Sequence, residues 1–198
     1  MSLPAGLSLP AALPTYRIGE ALVHRICATA FASKEPSFRA TGHHRFDDPK
    51  LSYGTLYCAR DFGTCFLETL LRGASRLIVR KVDYQARSHA ILLLDVRRLQ
   101  LVDLFSTAGV ASAGLDLSML AGQNYAATRA ISALVHWHPL RPHGIVYRSR
   151  FDPDQPAIAL FDRAGRMVRR YPGSKAQRLT AVQELSDAVR DRVPYMLI

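Results

Sequence analysis

GTLYCARDFGTCFLETLLRG, Gly54 to Gly73, holds the strand–helix junction on which the fold turns. GTLYCA is short, apolar and carries Tyr57 at its middle, the pattern of a buried strand. DFGTCFLETLLRG reads as a helix, capped by Asp61 or Thr64 and stopped by Gly73. On that helix Phe62, Cys65, Phe66, Leu67, Leu70 and Leu71 cover almost the whole circumference, and a helix apolar all round is buried. Glu68 lies in the middle of it. An unpaired buried carboxylate is strongly unfavourable. Two readings stay open: Glu68 reaches solvent and pairs with Arg72 at i,i+4, or it lines a pocket that uses its charge.

Working outward, TYRIG (Thr15 to Gly19) reads as a short strand. Ser33 to Gly54 is a long polar segment rich in turn formers, and loops of that length in compact domains are usually functional or disordered. RLIVRKVDY, AILLLDV and LQLVDL have strand content. A helix is expected from about Ser118 to Trp137, before Pro139. HGIVYRS and AIALFD read as a strand pair. A last helix is expected from about Ser174 to Val193, with Leu179, Val182, Leu185, Val189 and Val193 at helical spacing and Pro194 ending it. Strands and helices do not alternate regularly. No GxGxxG, Walker loop, HExxH or GxSxG is present. The order predicts an α+β fold with a mainly antiparallel or mixed sheet and flanking helices.

The chain of 198 residues has the length of one domain and, at 48% hydrophobic, the material for a real core. The first residues, MSLPAGLSLPAALPTY, are apolar, lack a basic start and are broken by Pro4, Pro10 and Pro14. They read as an extended arm over 1–14, with one domain over 15–198, rather than as a signal peptide. No run approaches the roughly 18 apolar residues of a membrane span. Cys27, Cys58 and Cys65 are odd in number and form no CxxC, which suits a reduced, cytoplasmic chain. The net charge of +10 attracts polyanions such as nucleic acid, nucleotides or an acidic protein; a GC-rich genome gives the same excess of arginine.

Individual residues carry further readings. Arg45 lies among Gly, His and Asp in the loop that returns to GTLYCA, and a guanidinium there suits a phosphate or carboxylate. Tyr57 is either a core aromatic or a ring at a pocket mouth that stacks on a base or nicotinamide; Tyr53 is an alternative for the same role. Arg17, between Tyr16 and Ile18, is a charge expected to be half-buried. Ser149 closes the strand GIVYR. His43 and His44 beside Asp47 and Asp48 match no metal spacing, so no metal is expected. HWHP, His136 to Pro139, reads as an ordinary helix end.

In order, YRIG, HRFDDPKLSYGTLYCARDFGTCFLETL and HGIVYRSRFDPDQPAIALFD resemble the RES domain, the toxin half of RES–Xre toxin–antitoxin systems. The family often has Gly-Gly-Arg-Trp-Asn where this chain has Gly-His-His-Arg-Phe-Asp: Phe46 keeps the aromatic, His44 replaces the second Gly and Asp47 replaces Asn. The resemblance implies a single domain similar to ADP-ribosyltransferases, with NAD as substrate and no resident cofactor. It implies cleavage of the nicotinamide–ribose bond by water or by inorganic phosphate as co-substrate, or transfer to a protein. Glu68, Arg45 and Tyr57 are the implied catalytic positions, and Arg17 and Ser149 implied substrate contacts. It also implies an Xre-type antitoxin, an oligomeric complex with it, and contact with DNA only through that partner. A basic nucleic-acid-binding module is the competing reading, carried by the charge but by no recognisable binding motif.

Overall fold

The computed structural model describes residues 7–71, 77–122 and 124–198. Its strands are β1 (Thr15–Tyr16), β2 (Leu22–Ala28), β3 (Thr55–Ala59), β4 (Ile78–Val79), β5 (Arg87–Leu94), β6 (Leu101–Leu104), β7 (Gly144–Arg148), β8 (Pro156–Phe161), β9 (Val168–Arg170), β10 (Gln177–Arg178) and β11 (Met196–Leu197). Its α-helices are α1 (Phe62–Leu70), α2 (Lys81–Gln85), α3 (Thr107–Ser112), α4 (Leu117–Ala121), α5 (Ala126–His136) and α6 (Gln183–Arg192). The main sheet runs β1-β6-β7-β8-β3-β2-β5-β10, with β9 also against β5. Its ladders are antiparallel except β6–β7. β4 and β11 pair separately, in parallel. The fold is therefore α+β. No helix among the described residues is long and apolar enough to cross a membrane.

Period-two alternation sorts side chains to the two faces of the sheet. Val102, Leu104, Ile145, Tyr147, Ala157, Ala159 and Phe161 form one cluster with Val110, Leu120, Ile131 and Val135 from α3, α4 and α5. Leu101, Val146, Ile158 and Leu160 turn the other way and meet Val23, Leu56, Cys58 and Leu92. β8 is thus buried on both faces, which is why AIALFD is continuously apolar. A third cluster seats α1 through Phe62, Cys65, Phe66 and Leu67 against Leu179, Val189 and Tyr195. Leu7, Leu9 and Leu13 of the N-terminal segment pack on the first cluster.

Two glycines are set by close approach. A Cβ on Gly144 would lie 2.4 Å from the Ala159 carbonyl oxygen, and one on Gly54 would lie 2.9 Å from the Phe38 carbonyl carbon. A side chain at Gly144 would push β7 from β8, and one at Gly54 would displace the Phe38–Arg39 backbone.

Several elements differ from expectation. RKVDY does not continue a strand: Lys81–Gln85 is helix α2. The single helix expected over 118–137 is two, because α4 ends at Gly122, in extended backbone, before α5 begins. The C-terminal helix starts later than Ser174: Tyr171–Ser174 forms a turn around Gly173, and Gln177–Arg178 pairs with β5 instead. Leu185, expected on the apolar face, is exposed. β2 is not announced by periodicity, since His24 and Arg25 interrupt its apolar pattern; cross-strand pairing with β5 carries it.

His24 and His89 stack across β2 and β5, with Nδ1 and Nε2 3.0 Å apart. Burial, and then the neighbouring ring, lowers the His89 pKa to about 4; burial also lowers His24, against the opposing pull of Asp61. The unfolded chain takes up these protons from about pH 6.5 downward and the folded chain does not. Stability is therefore full above about pH 6.5 and is lost as the pH falls toward 4. Urea unfolding is expected to show a loss of about 2 kcal/mol between pH 7 and pH 5 from His89 alone, and His89→Gln is expected to flatten that slope.

Candidate functional site

α1 begins where the Asp61 carboxylate accepts the Thr64 N–H at 2.9 Å. Arg192 of α6 reaches that same carboxylate at 3.2 Å and Asp152 at 2.8 Å. It thereby ties the start of α1 to the segment that follows β7. The tie brings Glu68 against the end of β7. The Ser149 hydroxyl donates to Glu68 Oε1 at 3.0 Å and the Arg150 N–H to the same oxygen at 2.7 Å. The Tyr147 hydroxyl donates to Oε2 at 3.3 Å. Glu68 is half-buried, and among the described residues three donors hold its carboxylate. Arg72, the alternative partner, lies outside the described residues.

The opposite wall is the loop before β3. Asp47 is 1% exposed, and its carboxylate accepts the Thr41 hydroxyl, the His43 and His44 N–H groups at 3.2 and 3.1 Å, and the Tyr57 hydroxyl at 2.9 Å. The Tyr57 hydroxyl in turn accepts the Phe46 N–H at 2.9 Å. Loop and strand are thereby locked together, and the Tyr57 ring rather than its hydroxyl is offered to the cavity. An Asn in place of Asp47 can keep the arrangement: its oxygen accepts from the loop and its NH2 donates to Tyr57.

Arg45 projects from this locked loop. Its Nη1 donates to the Arg148 carbonyl at 3.3 Å and its Nη2 to the Leu120 carbonyl. Its guanidinium sits 5.1 Å from the Tyr147 ring centroid and 5.5 Å from that of Phe46. Nε is buried without a hydrogen bond, and no carboxylate among the described residues pairs with Arg45. A guanidinium held only by neutral carbonyls exchanges them favourably for an anionic oxygen.

Arg45, Tyr57, Glu68, Tyr125, Tyr147 and Arg150 line one small chamber of about 20 Å³, room for a water rather than a sugar. Larger cavities flank it. One, of about 280 Å³, has Leu104, Leu117, Leu120 and Pro153 beside Arg45, Ser149 and Arg150. The other, of about 250 Å³, also has Tyr57 in its lining, with Arg25, Arg39, Arg87, Glu35 and His44. The chamber shares Arg45 and Arg150 with the first of these and Tyr57 with the second.

The structure brings Glu68, Arg45, Tyr57 and Ser149 together. Two other expected residues lie elsewhere. Tyr53 is 2% exposed, its hydroxyl bonded to Ser132 at 2.8 Å and its ring stacked 3.9 Å from His136, so it is a core side chain and not a pocket ring. Arg17 is exposed, past the end of edge strand β1, and lines none of these cavities. His136 ends α5, and burial first and then Arg163 lower its pKa to about 4. Among the described residues no group of three or more His, Cys, Asp and Glu can hold a metal.

Other site residues escape the sequence reading, Arg150, Tyr147, Arg25 and Tyr125 among them. Tyr147 shares a strand face with Ser149 by period two, a signal present in HGIVYRS. Arg25 is a charge in mid-strand, and its Nη1 donates to the Tyr57 carbonyl at 2.8 Å. Tyr125 has no sequence signal; it enters the site because α5 starts there.

The site thus combines a clasped carboxylate, an arginine and three tyrosine rings on an α+β scaffold. The RES domain family matches residues 14–184, and the chain belongs to that family. Among solved structures, the fold is shared with one described as the M. tuberculosis MbcT–MbcA toxin–antitoxin complex. That match has a TM-score of 0.64 and 16% identity, over 87% of this chain and 92% of that one. At this identity the likeness is one of fold. No curated protein matches.

Asp47→Ala leaves buried donors without an acceptor and is expected to lower stability by about 3 kcal/mol in urea unfolding, whereas Asp47→Asn retains most of it.

Proposed function

We propose that this protein is a toxin that cleaves NAD at the nicotinamide–ribose bond and is held in check by a cognate antitoxin. The observation that carries the reading is the Glu68 carboxylate, fixed by Tyr147, Ser149 and Arg150 in a chamber walled by tyrosine rings and Arg45. Membership of the RES domain family supports it, as does a fold shared with a protein solved in a toxin–antitoxin complex.

The chemistry suits these groups. Breaking an N-glycosidic bond passes through an oxocarbenium-like state. Nicotinamide leaves a cationic ring as a neutral molecule, so little acid assistance is needed. The site has to stabilise positive charge on the ribose and hold the substrate still. Glu68, already oriented by its donors, supplies the negative charge and an acceptor for a ribose hydroxyl. The negative faces of Tyr57, Tyr125 and Tyr147 add to the same field. Arg45, bound only to carbonyls, is the group that turns to an anionic oxygen of the substrate or of a phosphate acceptor. Entry of a sugar requires the chamber to widen.

Purified protein freed of any inhibitor is expected to release nicotinamide from NAD, and Glu68→Gln to slow this by about a hundredfold or more. Equal inactivity of both proteins would defeat the reading. Added inorganic phosphate separates phosphorolysis from hydrolysis by the product, ADP-ribose-1″-phosphate in the first case and ADP-ribose in the second. Labelled NAD that marks a protein instead would assign the acceptor to a polypeptide.

A further inference from the structure

We infer that the outer edge of the main sheet, formed by β9, β10 and the turn between them, is a surface that contacts the phosphates of nucleic acid. The inference is independent of NAD cleavage. It gives a place to positive charge that the Glu68 site leaves unused.

From Arg163 to Arg178 the sequence carries six cationic side chains, and no carboxylate occurs between Asp162 and Glu184. A GC-rich genome adds arginine throughout a chain, but it does not clear acidic residues from one stretch. The structure divides the six by use. Arg163 donates to the ring and the carbonyl of His136, and Arg170 donates to the carbonyls of Ala32, Ser33 and Glu35. Those two brace the fold. Arg166, Arg169, Lys175 and Arg178 are exposed and form no ion pair among the described residues.

β9 and β10 follow one another along a single edge. β9 lies opposite Leu92 to Leu94 and β10 opposite Ser88 and His89, while β2 takes the other side of β5. Arg169 faces Leu93 and Arg178 faces Ser88, so the two stand roughly 17 Å apart along the edge at about 3.4 Å per residue. By period two they emerge on opposite faces, and the charge straddles the edge. Arg166, in the 3-10 helix Asp162–Met167 before β9, prolongs the row. Exposed Arg97 joins it at the same end, where the Asp95 N–H donates to the Met167 carbonyl at 2.8 Å. The carboxylates beside that end are already engaged: Asp95 lies 3.9 Å from Arg98, and Asp162 accepts the Gly54 N–H at 2.9 Å.

A duplex spaces the phosphates of one strand by about 3.4 Å along its axis, so the row from Arg169 to Arg178 spans about five of them. Cations on both sides of the edge can meet both strands across a groove. A protein partner would call for an apolar centre to the interface, and Tyr171 is the one exposed large hydrophobic side chain among the described residues of this stretch. A nucleic-acid interface is polar and strongly positive, as this row is. Charges on an edge strand also discourage pairing with another chain. That purpose does not account for Arg97 and Arg166, which lie off the ladder.

Fluorescence anisotropy with a labelled duplex of arbitrary sequence, titrated at several salt concentrations, tests the inference. Wild type is expected to bind, and more weakly as salt rises. The triple variant Arg166→Gln, Arg169→Gln and Arg178→Gln is expected to bind at least about tenfold more weakly. Its plot of log affinity against log salt is expected to be shallower by about two to three, at about 0.9 per phosphate contact. A control triple of equal charge, Arg80→Gln, Lys81→Gln and Arg190→Gln, at α2 and α6, is expected to lose less than about threefold. Both triples are checked for folding by circular dichroism. Equal losses in the two triples, or no binding by wild type, would overturn the inference. So would tighter binding of poly-L-glutamate than of the duplex, which would assign the row to an acidic protein. Nicotinamide release from NAD is measured separately, so failure of the NAD reading leaves the duplex result standing on its own.

Discussion

The Glu68 carboxylate and its donors Tyr147, Ser149 and Arg150 are the contact on which the rest of the site depends. α1 is apolar on nearly every side, and its neighbours fill that surface with aromatic and aliphatic side chains. A carboxylate in such a helix must find polar partners or be excluded. It finds them at the end of β7, where the strand gives up its ladder and Ser149 and Arg150 turn toward the helix. The Arg192 bridge from Asp61 to Asp152 keeps that strand end and the helix start in register.

The remaining parts are arranged around this fixed charge by the ordinary needs of packing. Asp47 gathers four donors, and the loop that carries Arg45 is immobilised on Tyr57 as a result. Phe46 and Tyr147 pack with centroids 4.6 Å apart and ring planes tilted by 51°, and Arg45 sits beside both rings. Strand alternation places Tyr57 and Tyr147 on the same side of the sheet as α3 to α5, so the chamber lies between that layer and α1. Arg25, Arg39 and Arg87 line one of the larger cavities and Arg45, Arg148 and Arg150 the other.

Much of this arrangement is legible in the residues themselves. The strand, cap and helix of GTLYCARDFGTCFLETLLRG follow from apolar runs and Asp61, and the motif glycines mark close backbone approach at Gly54 and Gly144. What is not legible depends on distant segments. β2 exists because β5 pairs with it, and its polar residues hide that from any local pattern. Tyr53 and Tyr57 have the same residue type and the same parity, and only the position of α5 decides that one stacks on His136 while the other lines the chamber. Arg17 looked half-buried because its neighbours are apolar, but β1 is a two-residue edge strand that ends before it. Glu68 itself was ambiguous in sequence: periodicity alone allowed a surface ion pair, and its partners come from about eighty residues further along the chain.

The central claim is that ligand chemistry takes place against Glu68 and the Tyr57 ring. It is tested most directly by the amide resonances of Arg150, whose N–H lies 2.7 Å from the Glu68 carboxylate, and of Phe46, whose N–H lies 2.9 Å from the Tyr57 hydroxyl. In ¹H–¹⁵N spectra recorded during addition of ADP-ribose together with nicotinamide, both amides are expected to shift in a saturable way. Saturable shifts elsewhere in the protein with these two amides unmoved would contradict the account.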